Sequence, residues 1–202
     1  MKPRPFTIAV AYFVAVIVLA HFFTPPIYDW TQNTISDLAS QGHAYKWIMQ
    51  AGFIGFGLLL VWGVLSHFSQ NRRAYFLLFV AVYGLSILMS GIFCAAPIDP
   101  SFPNSLRESQ LHSMFATIAG VSMSLGIFWQ FVVSSNHRER WTRFAFFLLV
   151  IGISGLFGFA ENHILVLDKG IIQRILYLTG LAWLVYEEYI FFLEGKLQNE
   201  RK

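Results

Sequence analysis

The chain has 202 residues, of which 56% are hydrophobic, 17% aromatic and only 12% charged, and its formal net charge is +3. Soluble domains carry roughly 25% charged residues, so this composition excludes a soluble globular protein and indicates a membrane protein. The basic residues are spread along the chain and form no single cluster, which excludes nucleic acid as the partner implied by the positive charge.

Six apolar stretches predict six transmembrane helices. About 20 apolar residues are needed to cross the ~30 Å hydrocarbon core at about 1.5 Å per residue. The stretches that reach this length cover about 7–24, 47–67, 74–95, 112–133, 144–163 and 173–194. The predicted fold class is therefore all-α, a bundle of six spans that forms one domain over residues 1–202.

The distribution of basic residues predicts the orientation of this bundle. Ten of the 14 lysines and arginines fall at the two chain ends and in the second and fourth connections: Lys2, Arg4, Arg72, Arg73, Arg138, Arg140, Arg143, Lys196, Arg201 and Lys202. Basic residues accumulate on the cytoplasmic side, so both termini are predicted to face the cytoplasm, with the protein in the cell membrane. The first stretch also resembles a secretory signal, with Val18-Leu19-Ala20 as a cleavage site; we expect it to be retained as the first helix.

The first outward connection, residues 25–46, contains a polar run between two long apolar stretches. Pro25 and Pro26 end the first span because proline lacks an amide hydrogen and disfavours helical geometry in the residue before it. Within the run, Thr31 or Asn33 is expected to cap a short interfacial helix that stops near Gly42.

Small residues at helical spacing recur on three of the predicted spans. Residues of this kind let helix backbones approach closely in lipid, so we expect them to form packing seams between spans. They are Ala51 and Gly55 on the second span, Ala116, Gly120 and Ser124 on the fourth, and Ser154 and Gly158 on the fifth.

We make separate predictions for three further residues. Glu187 and Glu188, near the inward end of the sixth span, are expected to meet cytoplasmic headgroups or the basic turns. Cys94 is the single cysteine of the chain and is expected to be a small buried residue.

Polar and ionisable side chains from five separate segments are predicted to meet near the outward ends of the spans. A charge inside the bilayer costs roughly 3 kcal/mol on insertion scales, so such groups usually face the interior of the bundle or water. The candidates are Asn33, Ser36, Asp37, Asp99, His112, Glu161, His163, Gln173 and Arg174.

Three motifs, in their order along the chain, resemble a known family. They are Asn33-x-x-Ser36-Asp37-Leu38, Pro97-x-Asp99 ahead of His112, and Gly170-x-x-Gln173-Arg174 ahead of Trp183. They resemble an uncharacterised bacterial and archaeal six-span membrane family, domain of unknown function 998, over essentially the whole chain. The resemblance implies the six-span fold and a shared outward site, and it implies no reaction. The chain is also distantly similar to the alkaline ceramidases, lipid hydrolases that use Ser, Asp and three His around zinc, but its last span lacks their paired histidines.

Two functions of different classes fit the outward residues. In a membrane hydrolase, His112 would be the general base or a metal ligand, with Asp37 or Asp99 orienting it. Ser36 would be the nucleophile or proton donor, and Arg174 would hold a phosphate or a developing anion. Zinc is an open alternative for this hydrolase, with His112, His163 and a carboxylate as ligands.

In a non-catalytic protein, the same site would bind or conduct a lipid headgroup, a quinone or a small anion. The predicted binding residues are Asn33, Glu161, Gln173 and Arg174, and membrane lipids are the predicted partners. In a third, structural interpretation, Asp37, Asp99 and Glu161 pair with His112 and Arg174 to tie the outward loops together, or the chain is a structural subunit of a membrane complex. Catalysis predicts a hydrogen bond from His112 to Asp99 or Asp37, whereas binding predicts an apolar cavity. The sequence favours a protein that binds or processes a lipid or lipid-like molecule at the outer half of the bilayer.

Overall fold

The computed structural model describes residues 4–68 and 74–199, and these residues form six α-helices. The helices are α1 (Pro5–His21), α2 (Lys46–Phe68), α3 (Ala74–Ile92), α4 (Leu106–Val133), α5 (His137–Glu161) and α6 (Lys169–Asn199). A short 3-10 helix, Ser36–Ala39, lies in the first outward connection. Extended pairing in the described residues is limited to an isolated parallel bridge between Ser40 and Ala95.

Five helices, α2 to α6, are long and apolar enough to span a membrane, and α1 is a shorter apolar helix of 17 residues. The all-α multi-pass fold predicted from the sequence is confirmed. The basic residues Lys2, Arg72, Arg73, Arg201 and Lys202 lie outside the described residues.

Two of the helices begin earlier than their apolar stretches because polar side chains cap them. α4 begins at Leu106, where the Ser105 hydroxyl accepts a hydrogen bond from the Glu108 amide. α5 begins at His137, where the Asn136 side chain accepts from the amides of residues 138 and 139. Such caps satisfy backbone N–H groups that have no partner within a helix, so the helices extend beyond the apolar residues that cross the membrane.

Neighbouring helices along the chain pack against each other, and α6 returns to contact α1. Phe13 of α1 lies at the centre, with its ring 4.5 Å from that of Phe56 and 5.6 Å from that of Tyr177 on α6. The amides of Phe6 and Thr7 donate to the Glu188 carboxylate near the far end of α6. The start of α1 and the end of α6 therefore lie at the same end of the bundle, as an even number of spans requires.

Glu187 and Glu188 of α6 are both buried, and each has a different partner. Glu187 pairs with Arg143 of the predicted basic turn, with 2.7 Å between Oε1 and Nε, which agrees with the expectation that it meets a basic turn. Glu188 differs from the expectation: its carboxylate caps the N-terminus of α1, where unpaired amides and the positive end of the helix dipole favour an anion.

The three predicted packing seams differ in whether another helix packs against them. On α2 the expected seam forms: a Cβ at Gly55 would lie 2.6 Å from Tyr12 Cζ, and the Tyr12 hydroxyl donates to the Ala51 carbonyl. On α4 and α5 the expectation is wrong within the described chain, because a Cβ at Gly120 or Gly158 would meet nothing within 4 Å. Small residues permit a close approach between helices, but they do not determine whether another helix packs at that position.

Candidate functional site

The polar run of the first outward connection is seated on the N-terminus of α6. The amides of Gly170 and Ile171 both donate to the Thr31 carbonyl, at 2.9 and 3.2 Å. In return, Gln173 Oε1 accepts from the Ile35 amide at 2.7 Å. A Cβ at Gly170 would lie 2.7 Å or less from three backbone carbonyl oxygens of this run. Glycine is therefore required at position 170 for the two segments to approach this closely.

Arg174 holds the same two segments together. Its Nη1 donates to the carbonyls of Asn33 at 2.9 Å and Gly170 at 2.8 Å, and its Nη2 donates to the Tyr28 hydroxyl. Nη2 also lies 3.0 Å from His21 Nε2. His21 Nδ1 lies 2.7 Å from the Ile17 carbonyl, which can only accept, so Nδ1 carries the proton and Nε2 accepts from the arginine. The guanidinium thus binds groups of the protein, and we call this arrangement the arginine clamp.

Asn33, Ser36 and Asp37 complete the clamp region. The Asn33 side chain accepts from the Asp29 amide at 2.8 Å. Asp37 Oδ2 accepts from the Thr34 amide at 2.7 Å, and the Thr34 hydroxyl accepts from the Asp37 amide. Burial raises the pKa of the Asp37 carboxyl, and the hydrogen bond from the Thr34 amide opposes this shift. The Ser36 side chain lies next to the Tyr177 side chain of α6.

The structure therefore brings five of the predicted site residues into one region. They are Asn33, Ser36, Asp37, Gln173 and Arg174. Their contacts tie the first outward connection to α6.

The hydrogen-bond partners of the His112 ring lie at the end of α3 and not in the arginine clamp. It is 4% exposed, and its Nδ1 lies 2.8 Å from the Ser90 carbonyl and 3.1 Å from the Phe93 carbonyl at the end of α3. Its Nε2 is buried without a partner in the described part of the chain. The hydrogen bond to Asp37 or Asp99 that a catalytic base would use is replaced by bonds to these backbone carbonyls.

Glu161 and His163 are exposed at the end of α5. Glu161 pairs with Lys169 at 3.3 Å and not with Arg174. His163 has a positive φ of 55°. Within residues 4–68 and 74–199, no group of three or more His, Cys, Asp or Glu side chains is placed to hold a metal ion. The zinc site that would use His112 and His163 therefore has no assembled ligand set.

Cys94 is buried, in agreement with the prediction. Its sulfur lies 3.3 Å from Lys46 Nζ and 3.6 Å from Gln50 Nε2, and its amide donates to Glu108. These contacts tie the end of α3 to the starts of α2 and α4.

A pocket of about 380 Å³ opens between the two outward connections that flank α2 and α3. We call it the outer pocket; it is lined by residues 23–27, 40–45, 97–99 and 102. Gln41 joins the two connections, since its amide donates to the Ala95 carbonyl and its side chain bonds to the Ser105 backbone. Gly42 has a φ of +80°, and a Cβ there would lie 2.9 Å from the Phe102 ring. Glycine thus permits both the turn and the close packing of this pocket wall.

The polar side chains that line the mainly apolar outer pocket include Ser40, His43 and Asp99. Ser40 is 1% exposed, and its hydroxyl has no hydrogen-bond partner among the described residues. Burial lowers the pKa of His43, so its ring is neutral at neutral pH. Asp99 is exposed and accepts from the amide and hydroxyl of Ser101 at 2.9 and 2.7 Å, which holds the pKa of its carboxyl below the usual range.

Asp99 was predicted from the sequence as a candidate residue, whereas Ser40 was not. No pattern in the sequence marks this serine, because the outer pocket forms only where two connections remote in sequence come together.

Residues 7–186 match the model of a family described as protein of unknown function (DUF998). The chain belongs to this family. Comparisons with curated proteins and with solved structures gave no match.

In this DUF998 protein, two of the three motifs that suggested the family contact each other directly. The first motif contributes the Asn33 carbonyl and the Ile35 amide, and the third contributes Arg174 and Gln173 as their partners. The remaining motif places Asp99 at the outer pocket. Two of the motifs therefore hold the first outward connection on α6, and the remaining motif forms part of the pocket wall.

A second cavity, of about 400 Å³, lies at the opposite end of the DUF998 bundle. It is lined by Tyr75, Trp129, Gln130, residues 133–136, Glu139 and Arg143. The Arg143 guanidinium donates to Glu187 through Nε and Nη2 and to Ser134 and Glu139 through Nη1. The arginine is therefore already occupied by side chains of the protein.

Proposed function

We propose that this DUF998 protein is a multi-pass protein of the cell membrane that binds a lipid or lipid-like molecule in the outer pocket. The observation that carries the proposal is the pocket of about 380 Å³ enclosed by the outward connections, with mainly apolar walls and a few polar groups. Ligand sites in proteins are typically ~300–1,000 Å³ and combine apolar walls with a small number of polar groups that orient the ligand.

The position of the outer pocket in the chain suits an amphiphile. Its walls follow directly after α1, precede α2 and follow α3, at the level where spans end and headgroups begin. Tyr45 lines the pocket, and Trp47, which is exposed, follows it closely. Aromatic residues of this kind are enriched at the membrane–water interface. A bound amphiphile would place its chain along the apolar walls and its headgroup near the polar side chains.

The arginine clamp has a positioning role in this proposal. Pocket walls 23–27 and 40–45 lie immediately before and after the polar run that Arg174 and Gln173 hold on α6. Loss of the clamp would release the wall formed by residues 23–27, whereas Gln41 would still tie residues 40–45 to Ala95 and Ser105. Direct ligand contact by Asn33, Gln173 or Arg174, and the binding role predicted for Glu161, stay predictions.

Lipid hydrolysis at the same pocket is the second candidate function. Ser40, His43 and Asp99 all line the pocket, and a hydroxyl, an imidazole and a carboxylate are the groups that nucleophilic hydrolases combine. The catalytic roles predicted for His112, Asp37 and Ser36 stay untested. Release of the acyl chain from a fluorogenic lipid ester, lost in His43→Ala, would favour hydrolysis over binding alone.

The binding proposal can be tested with a photoreactive neutral lipid. The purified protein in phosphatidylcholine nanodiscs is irradiated with a monoacylglycerol that carries a diazirine in its chain, and the labelled peptides are identified by mass spectrometry. We expect labelling of residues 23–27, 40–45 and 97–102. Ala44→Trp should reduce it about tenfold, the effect of losing ~1.4 kcal/mol of binding free energy, because Ala44 is exposed and lines the pocket.

Ala96→Trp is the matched control, because Ala96 is also exposed on the outward side but does not line the pocket. It should label like the parent, and both variants should retain the parent's thermal stability. Equal labelling in Ala44→Trp and Ala96→Trp, or labelling confined to other segments, would refute the proposal.

A further inference from the structure

We propose that the outer pocket selects amphiphiles whose headgroup is a primary ammonium, as in a long-chain alkylamine. This inference rests on the proposed function, because it names the headgroup of the molecule that the outer pocket would bind.

The first argument is the charge of the pocket. Among the described residues that line it, Asp99 is the only one with a formal charge at neutral pH. Both hydrogen bonds that the carboxylate receives from Ser101 go to Oδ1, which leaves Oδ2 available to accept from a ligand. The same bonds lower the pKa of the carboxyl, so Asp99 is ionised when a ligand arrives. A cationic headgroup would gain a charge-assisted hydrogen bond here.

The second argument is the placement of the outward basic residues. The sequence predicts four basic residues on the outward side: Lys46, Arg107, Lys169 and Arg174. None of them lines the outer pocket, and three of them have partners elsewhere. Lys46 is adjacent to the pocket residue Tyr45, but its amine lies 3.3 Å from the Cys94 sulfur. Lys169 pairs with Glu161, and Arg174 belongs to the arginine clamp. An anionic headgroup would therefore meet a carboxylate without a compensating cation, and like charges at close range are unfavourable.

The third argument is the hydrogen-bonding character of the other polar groups. The Thr24 hydroxyl lines the pocket, donates to the His21 carbonyl and keeps lone pairs that accept hydrogen bonds. Neutral His43 has one ring nitrogen that accepts. Together with Asp99 they offer a hydroxyl oxygen, an imidazole nitrogen and a carboxylate oxygen in one pocket. A primary ammonium carries three N–H donors and no acceptor, so its chemistry complements these groups.

Aromatic walls add to the preference for a cation. Phe23, Tyr45 and Phe102 line the pocket, and the rings of Phe23 and Tyr45 are 5.1 Å apart. The faces of such rings attract ammonium groups, and the rings also pack against alkyl chains. The same walls therefore suit both ends of a long-chain amine.

The test is competition against the neutral monoacylglycerol photoprobe in phosphatidylcholine nanodiscs, with three competitors that share one alkyl chain. Dodecylamine is cationic at neutral pH, dodecanol is neutral and dodecyl sulfate is anionic. Concentrations are compared as the amount bound to the membrane, so that partitioning does not bias the result. We expect dodecylamine to displace the probe at about tenfold lower concentration than either of the others, which corresponds to ~1.4 kcal/mol of headgroup recognition.

Asp99→Asn should remove this advantage and leave competition by dodecanol unchanged. Asp29→Asn is the matched control: Asp29 also accepts from the amide and hydroxyl of the residue two positions on, at 2.9 and 2.8 Å, but it does not line the pocket. It should compete like the parent.

Equal competition by the three amphiphiles, or an undiminished advantage of dodecylamine in Asp99→Asn, would overturn the headgroup assignment. The proposed function would survive that result as long as the photoprobe still labels the pocket and Ala44→Trp still prevents it. Absence of pocket labelling in the parent would overturn both.

Discussion

Arg143→Met tests how the inward ends of α5 and α6 are held together. Arg143 is 1% exposed and Glu187 is fully buried, and the two make a bidentate contact at 2.7 and 2.9 Å. Methionine has a similar length and no charge, so the substitution leaves the Glu187 carboxylate buried without the guanidinium. Removing one partner of a buried ion pair typically costs ~3–5 kcal/mol, because the remaining charge cannot be hydrated.

The other partners of Arg143 change this figure little. Glu139 also accepts from Nη1 at 3.0 Å, but its side chain is 21% exposed and can be hydrated when the bond is lost. A partly exposed pair of this kind contributes about 0–1 kcal/mol. We therefore expect Arg143→Met to lower the free energy of unfolding by about 3–5 kcal/mol.

Unfolding by sodium dodecyl sulfate in mixed micelles, followed by far-ultraviolet circular dichroism, measures this loss. Combining Arg143→Met with Glu187→Leu should recover most of it, because apolar replacement of both members of a buried pair is often neutral. Glu161→Gln is the control. The side chains of Glu161 and Lys169 are 52% and 31% exposed, so their ion pair should contribute less than ~1 kcal/mol to the free energy of unfolding. If the double variant were as unstable as Arg143→Met, or if Arg143→Met matched Glu161→Gln, the reasoning would be refuted.

Two further predictions concern the clamp region. Gly170→Ala should lower the free energy of unfolding by ~1–3 kcal/mol and speed proteolysis within residues 25–46, because the added methyl group would overlap backbone carbonyls. Gly158→Ala is the control and should have neither effect, because position 158 faces open space. Burial raises the pKa of Asp37, so the folded protein keeps a proton that the unfolded chain releases, and stability should fall as the pH rises from the unfolded pKa of about 4 through the higher folded value. Asp37→Asn should remove this fall and increase stability at neutral pH, whereas Asp99→Asn should not; an unchanged pH profile in a chemical-denaturation series would contradict it.

Some contacts were predictable in kind but not in detail. Glu187 and Glu188 were expected to meet cytoplasmic headgroups or the basic turns. Glu187 pairs with Arg143 of the basic turn, but Glu188 caps α1 because the start of that helix lies within its reach. The guanidinium of Arg174 binds the carbonyls of Asn33 and Gly170, whereas its predicted contact with an anion stays a prediction. Both outcomes satisfy the donors of a guanidinium, and residue type does not specify which acceptor will lie within reach.

The same limit applies to His112. A histidine at the outward start of a span suggested a catalytic base, whereas its Nδ1 satisfies carbonyls at the end of α3. Carbonyls in the last turn of a helix have no partner within that helix. Which donor satisfies these carbonyls depends on how α3 and α4 pack together, and the sequence alone does not show this.

Hydrophobic length and charge distribution were enough to predict an all-α multi-pass protein, because crossing a membrane depends on the composition of each stretch alone. The sequence alone also indicated the end of the first span at Pro25 and Pro26, the small-residue seam of α2 and the order of the three motifs. The outer pocket could not be predicted in this way, because Ser40, His43 and Asp99 line one pocket only when Gln41 and the arginine clamp dock two connections against the bundle. Docking of this kind depends on backbone positions in three dimensions, and these are fixed by the packing of all six helices.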